Sequence, residues 1–313
     1  MLLALEQTFS DHPALASDLE LSALLPAPKL EPLHRAREIA RVRSALAGGG
    51  WGFCDSHALA VVRPLPWDSA HFGLPCADLM RVYASADASA ATVAAVVYAC
   101  LDESAQRGIR LHTARVLAEQ TAAVAALSRR GFQLLDTSVE LGASLSTMRR
   151  GRRPPSGVAA SASPTVQVRP ARDADRARLR DIAQTFTDNR FFRDPRISDE
   201  LARGVYRSWV DSALDAETLL CAVGRDGIGG LASFIPPSDE LRVGTVGLVV
   251  IAPEQRGSGL FDPLVQGCAQ RAGGRALVTS TQVSNARSLR AFARHGLLPL
   301  RARHVFHHWS TLG

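Results

Sequence analysis

Gly247-Leu248-Val249-Val250-Ile251, an apolar run suited to a buried strand, passes through Ala252-Pro253-Glu254-Gln255 into Arg256-Gly257-Ser258-Gly259-Leu260. An apolar-periodic helix, Leu260 to Ala272, follows directly. Strand, tight glycine turn and helix together make an anion site. Glycines at 257 and 259 let the backbone approach a ligand, and the N–H groups at a helix N-terminus meet a negative group with the favourable end of the helix dipole. A dinucleotide fingerprint would need Gly-x-Gly-x-x-Gly with an acidic residue about 20 positions on, and a Walker loop would need Gly-Lys-Ser/Thr. Neither is present here.

The chain of 313 residues, 46% hydrophobic and 21% charged, exceeds a typical single domain and can bury real cores. Its net charge of +6, carried mostly by arginine, suits a phosphorylated or nucleotide-bearing ligand. It forms no dense stripe of the kind a nucleic acid would need. The longest basic cluster, Arg149-Arg150-Gly151-Arg152-Arg153, stands beside Pro154-Pro155, where a linker is expected. The five cysteines are odd in number, widely spaced and never in Cys-x-x-Cys. That argues against a disulfide framework or a zinc site and fits a reducing cytoplasm. No metal is expected. Nothing resembles a signal peptide, and no stretch approaches the ~20 apolar residues of a membrane span.

Outward from the glycine turn, strands are expected over Thr218 to Gly224, Gly229 to Ile235, Gly244 to Ile251, Ala276 to Ser280 and near Arg303 to Trp309. Helices are expected from Asp173 to about Phe186, Ser198 to Leu214 and Asn285 to His295. Before a Pro/Gly/Ser-rich linker at 149–164 lies a separate unit at 31–148, preceded by an arm at 1–30; the unit at 165–313 carries the glycine turn. Leu127-Ser128-Arg129-Arg130-Gly131-Phe132 echoes Phe292-Ala293-Arg294-His295-Gly296-Leu297 one domain length later, which favours a duplication. The first copy has no Gly-x-Gly turn and is expected to bind no second ligand of the same kind.

Arg256-Gly257-Ser258-Gly259-Leu260 resembles the signature of the GNAT superfamily of N-acetyltransferases, with Phe261 in place of the last small residue. Thr281 to Gly296 resembles that superfamily's second motif. The resemblance implies an α/β, α+β layered fold of tandem GNAT-like domains, a truncated N-terminal one and a complete C-terminal one, with a mixed and mostly antiparallel sheet. It implies acetyl-CoA as cosubstrate, its pantetheine arm bonded to the main chain of Leu248, Val249 and Val250, its pyrophosphate held by the amides of Arg256 to Leu260. Further cofactor contacts would come from Asn285, Ser288 and Phe292. Many members place a Tyr acid at the position of Phe292, and Phe has no proton to give. His304, His307 and His308 are weak replacement candidates, each also readable as a structural histidine.

More narrowly, the sequence resembles the dTDP-fucosamine acetyltransferases over roughly 58–309. The match rests on Pro66-Trp67-Asp68-Ser69-Ala70-His71-Phe72-Gly73, the segment Arg110 to Leu141, Arg190 to Ile197 with Tyr206-Arg207-Ser208-Trp209, and His304 to Trp309. Those relatives acetylate the 4-amino group of a nucleotide-linked dideoxy sugar. The resemblance places acceptor contacts at Arg190, Phe191, Asp194 and Gln282, although a surface ion pair explains Arg190 and Asp194 equally well. Trp67 to Gly73 reads either as a turn with a packed aromatic or as a substrate contact. The expected partner is a small-molecule amine acceptor, with no nucleic acid and no membrane, and a homodimer is compatible with the resemblance. Other amines, such as an aminoglycoside or a peptide, stay open as acceptors, as does an acyl-CoA-binding protein without catalysis. Cys221 and Cys268 sit in apolar segments and read as buried core thiols, so no nucleophile is proposed.

Overall fold

A computed structural model describes residues 31–310 apart from 86, 151–165, 239 and 273. The arm at 1–30 and all but the first two residues of the expected linker lie outside the described residues. The chain divides into two compact units, one running up to Ser138 and resuming at Arg301, the other spanning Val139–Leu300.

In the first unit, α1 (Glu31–Ala47) precedes the antiparallel strands β1 (Trp51–Cys54) and β2 (Ala58–Pro64). Helix α2 (Pro66–Phe72) leads to β3 (Cys76–Ala84), α3 (Ala90–Gln106), β4 (Leu111–Leu117) and α4 (Thr121–Arg129). Strand β5 (Gln133–Ser144) begins here and continues into the second unit. The run Ala58-Leu-Ala-Val-Val62 is buried on both faces, as a continuous apolar strand should be. Ala58, Ala60 and Val62 join the core beneath α3 and α4, while Leu59 and Val61 pack with Val42 and Ala45 of α1.

The second unit adds α5 (Leu145–Arg150), β6 (Gln167–Pro170), α6 (Arg176–Ala183), α7 (Arg190–Arg193) and α8 (Asp199–Asp215). Strands β7 (Leu219–Gly224), β8 (Gly227–Ile235) and β9 (Val243–Ile251) form an antiparallel run with β6. Then come α9 (Phe261–Ala272), β10 (Ala276–Gln282), α10 (Ala286–Arg294) and β11 (Leu298–Trp309). Alternation along β7 sends Leu219 and Cys221 toward α6 and α8, and Leu220 and Ala222 toward α9.

The only parallel registers among these pairings are β3 with β4 and β9 with β10. The architecture is the mixed, mostly antiparallel α/β sheet of the expected tandem fold. The sequence order puts the closing strand with the glycine-turn unit. The structure instead pairs β11 with β4 in antiparallel register, Arg303 opposite Leu117 through to Trp309 opposite Leu111, inside the first unit. The largely buried β4 needs a hydrogen-bonding partner on its second edge, and this strand supplies it. Pro66 to Phe72 forms a helix rather than a turn, with Pro at its start and Gly73 (φ +68°) ending it. Trp67 stacks on His71 with ring centroids 5.7 Å apart and stays 38% exposed. No helix among the described residues is long and apolar enough to cross a membrane.

Candidate functional site

Strand β9 carries an irregularity at its centre. Its pairing with β8 runs from Ile251 opposite Gly230 to Val249 opposite Ala232, then resumes at Val246 opposite Phe234. Gly247 and Leu248 therefore face Ser233 alone, which is a β-bulge. The Leu248 amide donates to Ser233 Oγ at 3.0 Å, and a Cβ on residue 247 would lie 2.3 Å from the same oxygen. A side chain at 247 would thus push the Ser233 hydroxyl away from the Leu248 amide.

On the other edge, β10 pairs with β9 only from Val243 to Thr245. Thr279 Oγ1 adds one bond to the Val246 carbonyl at 3.0 Å. Beyond that point the two parallel strands have no paired residues. Because Leu248 turns its amide toward β8, alternation turns the N–H and C=O of Val249 toward the gap. A sheet edge of this kind accepts an extended, amide-bearing ligand.

The glycine turn stands at the end of the same strand. After a single 3₁₀ turn (Pro253–Gln255), Gly257 and Gly259 adopt φ of +88° and +82°. A Cβ at either would meet nothing within 4 Å. Backbone conformation, not crowding, demands glycine here, and the concave side of the turn is open. Ser258 folds inward, its Oγ donating to the Gln255 carbonyl at 2.5 Å. Among the described residues, the amides of Gly257, Gly259 and Leu260 donate to no protein acceptor. They precede α9, whose dipole favours a negative group at that end. The amides of Arg256 and Ser258, expected in the same cradle, are instead spent on the Pro253 and Gln255 carbonyls at 3.3 Å. The guanidinium of the exposed Arg256 forms no hydrogen bond or ion pair among the described residues. These features fit a pyrophosphate.

Two residues that sequence reasoning missed shape the turn. Gly229 on β8 lets it pack down, since a Cβ there would sit 2.7 Å from Leu260 Cδ1 and 2.9 Å from Gln255 Cγ. No sequence signal marks it, because the reason is an approach between distant segments. Asp262, in the first turn of α9, brings a negative charge to the anion site. His295 Nε2 meets its Oδ1 at 2.9 Å and the Arg294 guanidinium lies 3.6 Å away.

In the second motif, Asn285 caps α10, its Oδ1 accepting from the Ser288 amide at 3.0 Å. Gln282 closes β10, its Oε1 facing Thr281 Oγ1 at 3.4 Å. Phe292 is 4% exposed, packed among Leu141, Val265 and Leu297. It meets Phe261 edge to face at 5.1 Å, so the two residues that depart from the superfamily pattern pack on each other. Asn189 caps α7 by accepting from the Phe191 amide at 2.9 Å. The Arg190 guanidinium lies 4.4 Å over the Phe191 ring, and its Nε is buried without a hydrogen-bond partner. Asp194, fully buried, accepts from the Arg196 amide at 3.0 Å. Arg193 ties α7 to the approach to α10 through Ser284 Oγ at 2.9 Å.

The histidines of the last strand belong to the first unit. His304 Nδ1 lies 3.0 Å from Thr137 Oγ1, His307 is buried, and His308 stacks on Phe132 at 4.9 Å. Opposite His308 on β4 is His112, which sequence reasoning passed over. It is 2% exposed, its Nδ1 has no partner, and burial together with nearby His308 pushes its pKa down to about 4. Cys221 and Cys268 are fully buried, and burial raises both thiols, Cys268 to about 12. Among the described residues, no group of His, Cys, Asp and Glu could hold a metal ion.

No family model matches this sequence and no curated protein does. Solved structures match its fold. A tandem GNAT protein from the clavulanic acid biosynthesis pathway aligns over 82% of this chain and 80% of its own, with TM-score 0.54 and 12% identity. A GCN5-related N-acetyltransferase from Sphaerobacter thermophilus aligns over 89% and 86%, with TM-score 0.55 and 15% identity. Another from Kribbella flavida aligns over 87% and 96%, with TM-score 0.52 and 12% identity. The bulged strand, the open glycine turn and this shared architecture together give the chain the fold of the tandem GNAT proteins.

Proposed function

We propose that this chain is an acetyl-CoA-dependent N-acetyltransferase whose second unit binds the cosubstrate. The observation that carries it is the open turn at Gly257 and Gly259, whose unspent amides lead into α9 beside the unpaired edge of β9. The amides of Gly257, Gly259 and Leu260 would hold the pyrophosphate, with Arg256 available as a further cation. Val249 would orient the pantetheine arm through its main chain. Leu248 contributes no N–H to that arm, because Ser233 takes it. Asn285 keeps only its amide nitrogen for a ligand, its oxygen being used in the cap.

Bound acetyl-CoA would supply the acetyl thioester, and the chain offers positioning and backbone dipoles for direct transfer to an amine. The buried thiols of Cys221 and Cys268 are protonated at neutral pH, which leaves no covalent nucleophile among them. The acceptor is a small amine, and the sequence resemblance supports a nucleotide-linked amino sugar, with Arg190, Phe191, Asp194 and Gln282 near it. The buried Arg190 Nε without a partner is a donor that an acceptor phosphate or hydroxyl would satisfy.

Phe292 supports a second reading, an acyl-CoA-binding protein without turnover, because no proton donor stands at that position. CoA release measured with a panel of dTDP-amino sugars separates the two. Turnover on an amino sugar is expected, and tight acetyl-CoA binding without turnover on any amine would sink the enzyme reading. Gly257→Asp places a side chain at positive φ and a charge where the pyrophosphate should lie. Acetyl-CoA affinity is expected to fall at least about hundredfold, and calorimetry showing unchanged affinity would refute the cradle.

A further inference from the structure

The two units repeat the same local construction. A shift of 167 residues takes Cys76 to Val243, and a shift of 165 takes Leu111 to Ala276, so the parallel pair β3–β4 superposes in register on β9–β10. Both pairs stop after a few rungs, at Leu79 with Ala114 and at Thr245 with Val278. The bulge repeats too. Val61 pairs with Arg81 and Val62 with Leu79, which leaves Met80 as the extra residue at the position equivalent to Gly247. The first unit therefore contains the same inter-strand gap.

The gap is occupied by the chain itself. Gln120 Nε2 donates to the Val82 carbonyl at 2.9 Å, and Gln120 Oε1 accepts from the Leu117 amide at 3.3 Å. By the same shifts Val82 corresponds to Val249, Leu117 to Gln282 and Gln120 to Asn285. Both Val82 and Leu117 are 3% exposed, so each main-chain group would be buried and unsatisfied without the carboxamide. Asn285, one carbon shorter, spends its oxygen on capping α10 and does not bridge. At the N-terminus of α3, where a pyrophosphate would lie in the first unit, a side-chain cap takes one of the amides. Ser89 Oγ accepts from the Thr92 amide at 3.1 Å.

We infer that Gln120 is an internal stand-in for an amide ligand, its carboxamide sealing in the first unit the gap that the second unit leaves open to a pantetheine arm. Each chain then holds a single acyl-CoA. That count rests on the function proposed above, whereas the seal does not.

Hydrogen exchange on the full chain reads the seal directly. In Gln120→Ala the Leu117 amide should exchange about tenfold faster than in wild type. Millimolar pantetheine, which needs no pyrophosphate cradle, should slow that amide in the variant and leave wild type unaffected. Gln120→Met fills the same volume without hydrogen bonds, and the same acceleration is expected should the alanine variant fail to fold. Unchanged exchange in the folded variant, or pantetheine protection of Leu117 in wild type, would overturn the inference. Native mass spectrometry with CoA supplies the second readout, one CoA per wild-type chain and none for Gly257→Asp. Two CoA per wild-type chain, with one retained by Gly257→Asp, would refute the seal and leave the cradle standing. No CoA on wild type would instead refute the function, with exchange at Leu117 still judging the seal.

Discussion

His112 shows how a single side chain ties stability to pH. Its folded-state pKa of about 4 lies below the ordinary 6.5, because burial penalises the charged ring and His308 is close by. Between those values the unfolded chain binds a proton that the folded chain refuses, so stability is lost as pH falls from 6.5 toward 4. The shift corresponds to on the order of 3 kcal/mol. Urea denaturation should therefore show a weaker loss of stability over this window in His112→Leu than in wild type, and identical slopes would refute the assignment. At this scale the sequence was informative where one residue type has one cheap explanation. Gly257 and Gly259 were legible because a strand-to-helix turn at positive φ favours glycine. Gly229 and Gly247 were not, since their reason is the approach of Leu260 from the turn and of Ser233 from the neighbouring strand. His112 was passed over because an isolated histidine in a strand carries no pattern of its own.

Among the elements, α10 rests on its cap. Asn285→Ala removes the acceptor for the Ser288 amide and should cost about 1 kcal/mol, visible as a lower thermal midpoint. Asn285→Asp keeps that acceptor and loses only the amide N–H groups. Its stability should match wild type, while a weakened acetyl-CoA affinity in the same variant would separate a ligand contact from the cap. Element type was largely readable from punctuation, with Gly131 and Gly296 ending α4 and α10 in equivalent places. The misreading of α2 has a plain cause. It buries no residue, so no apolar period exists, and a leading Pro with a trailing Gly punctuates a turn as readily as a short helix. The bulges in β3 and β9 were invisible, because one extra residue in a strand leaves composition and period nearly unchanged.

For the whole molecule, sequence order was a faithful guide to the layers and a poor one to the membership of β11. Residues adjacent along the chain usually pair, but the free edge of β4 is satisfied by a strand that follows the entire second unit. Removing residues 301–313 should expose that edge. Amides over Leu111–Leu117 are expected to lose protection from hydrogen exchange while those over Leu219–Gly224 keep theirs, and equal protection at both places would refute the pairing. The same strand bears on biosynthesis. Trp309 pairs with Leu111, which emerges 198 residues earlier. At ordinary synthesis rates of roughly 5–20 residues per second, β4 waits on the order of ten to forty seconds for its neighbour. The half of the protein that is translated first is thus finished last, and in the interval its nascent sheet shows an unpaired strand edge to chaperones and to other chains.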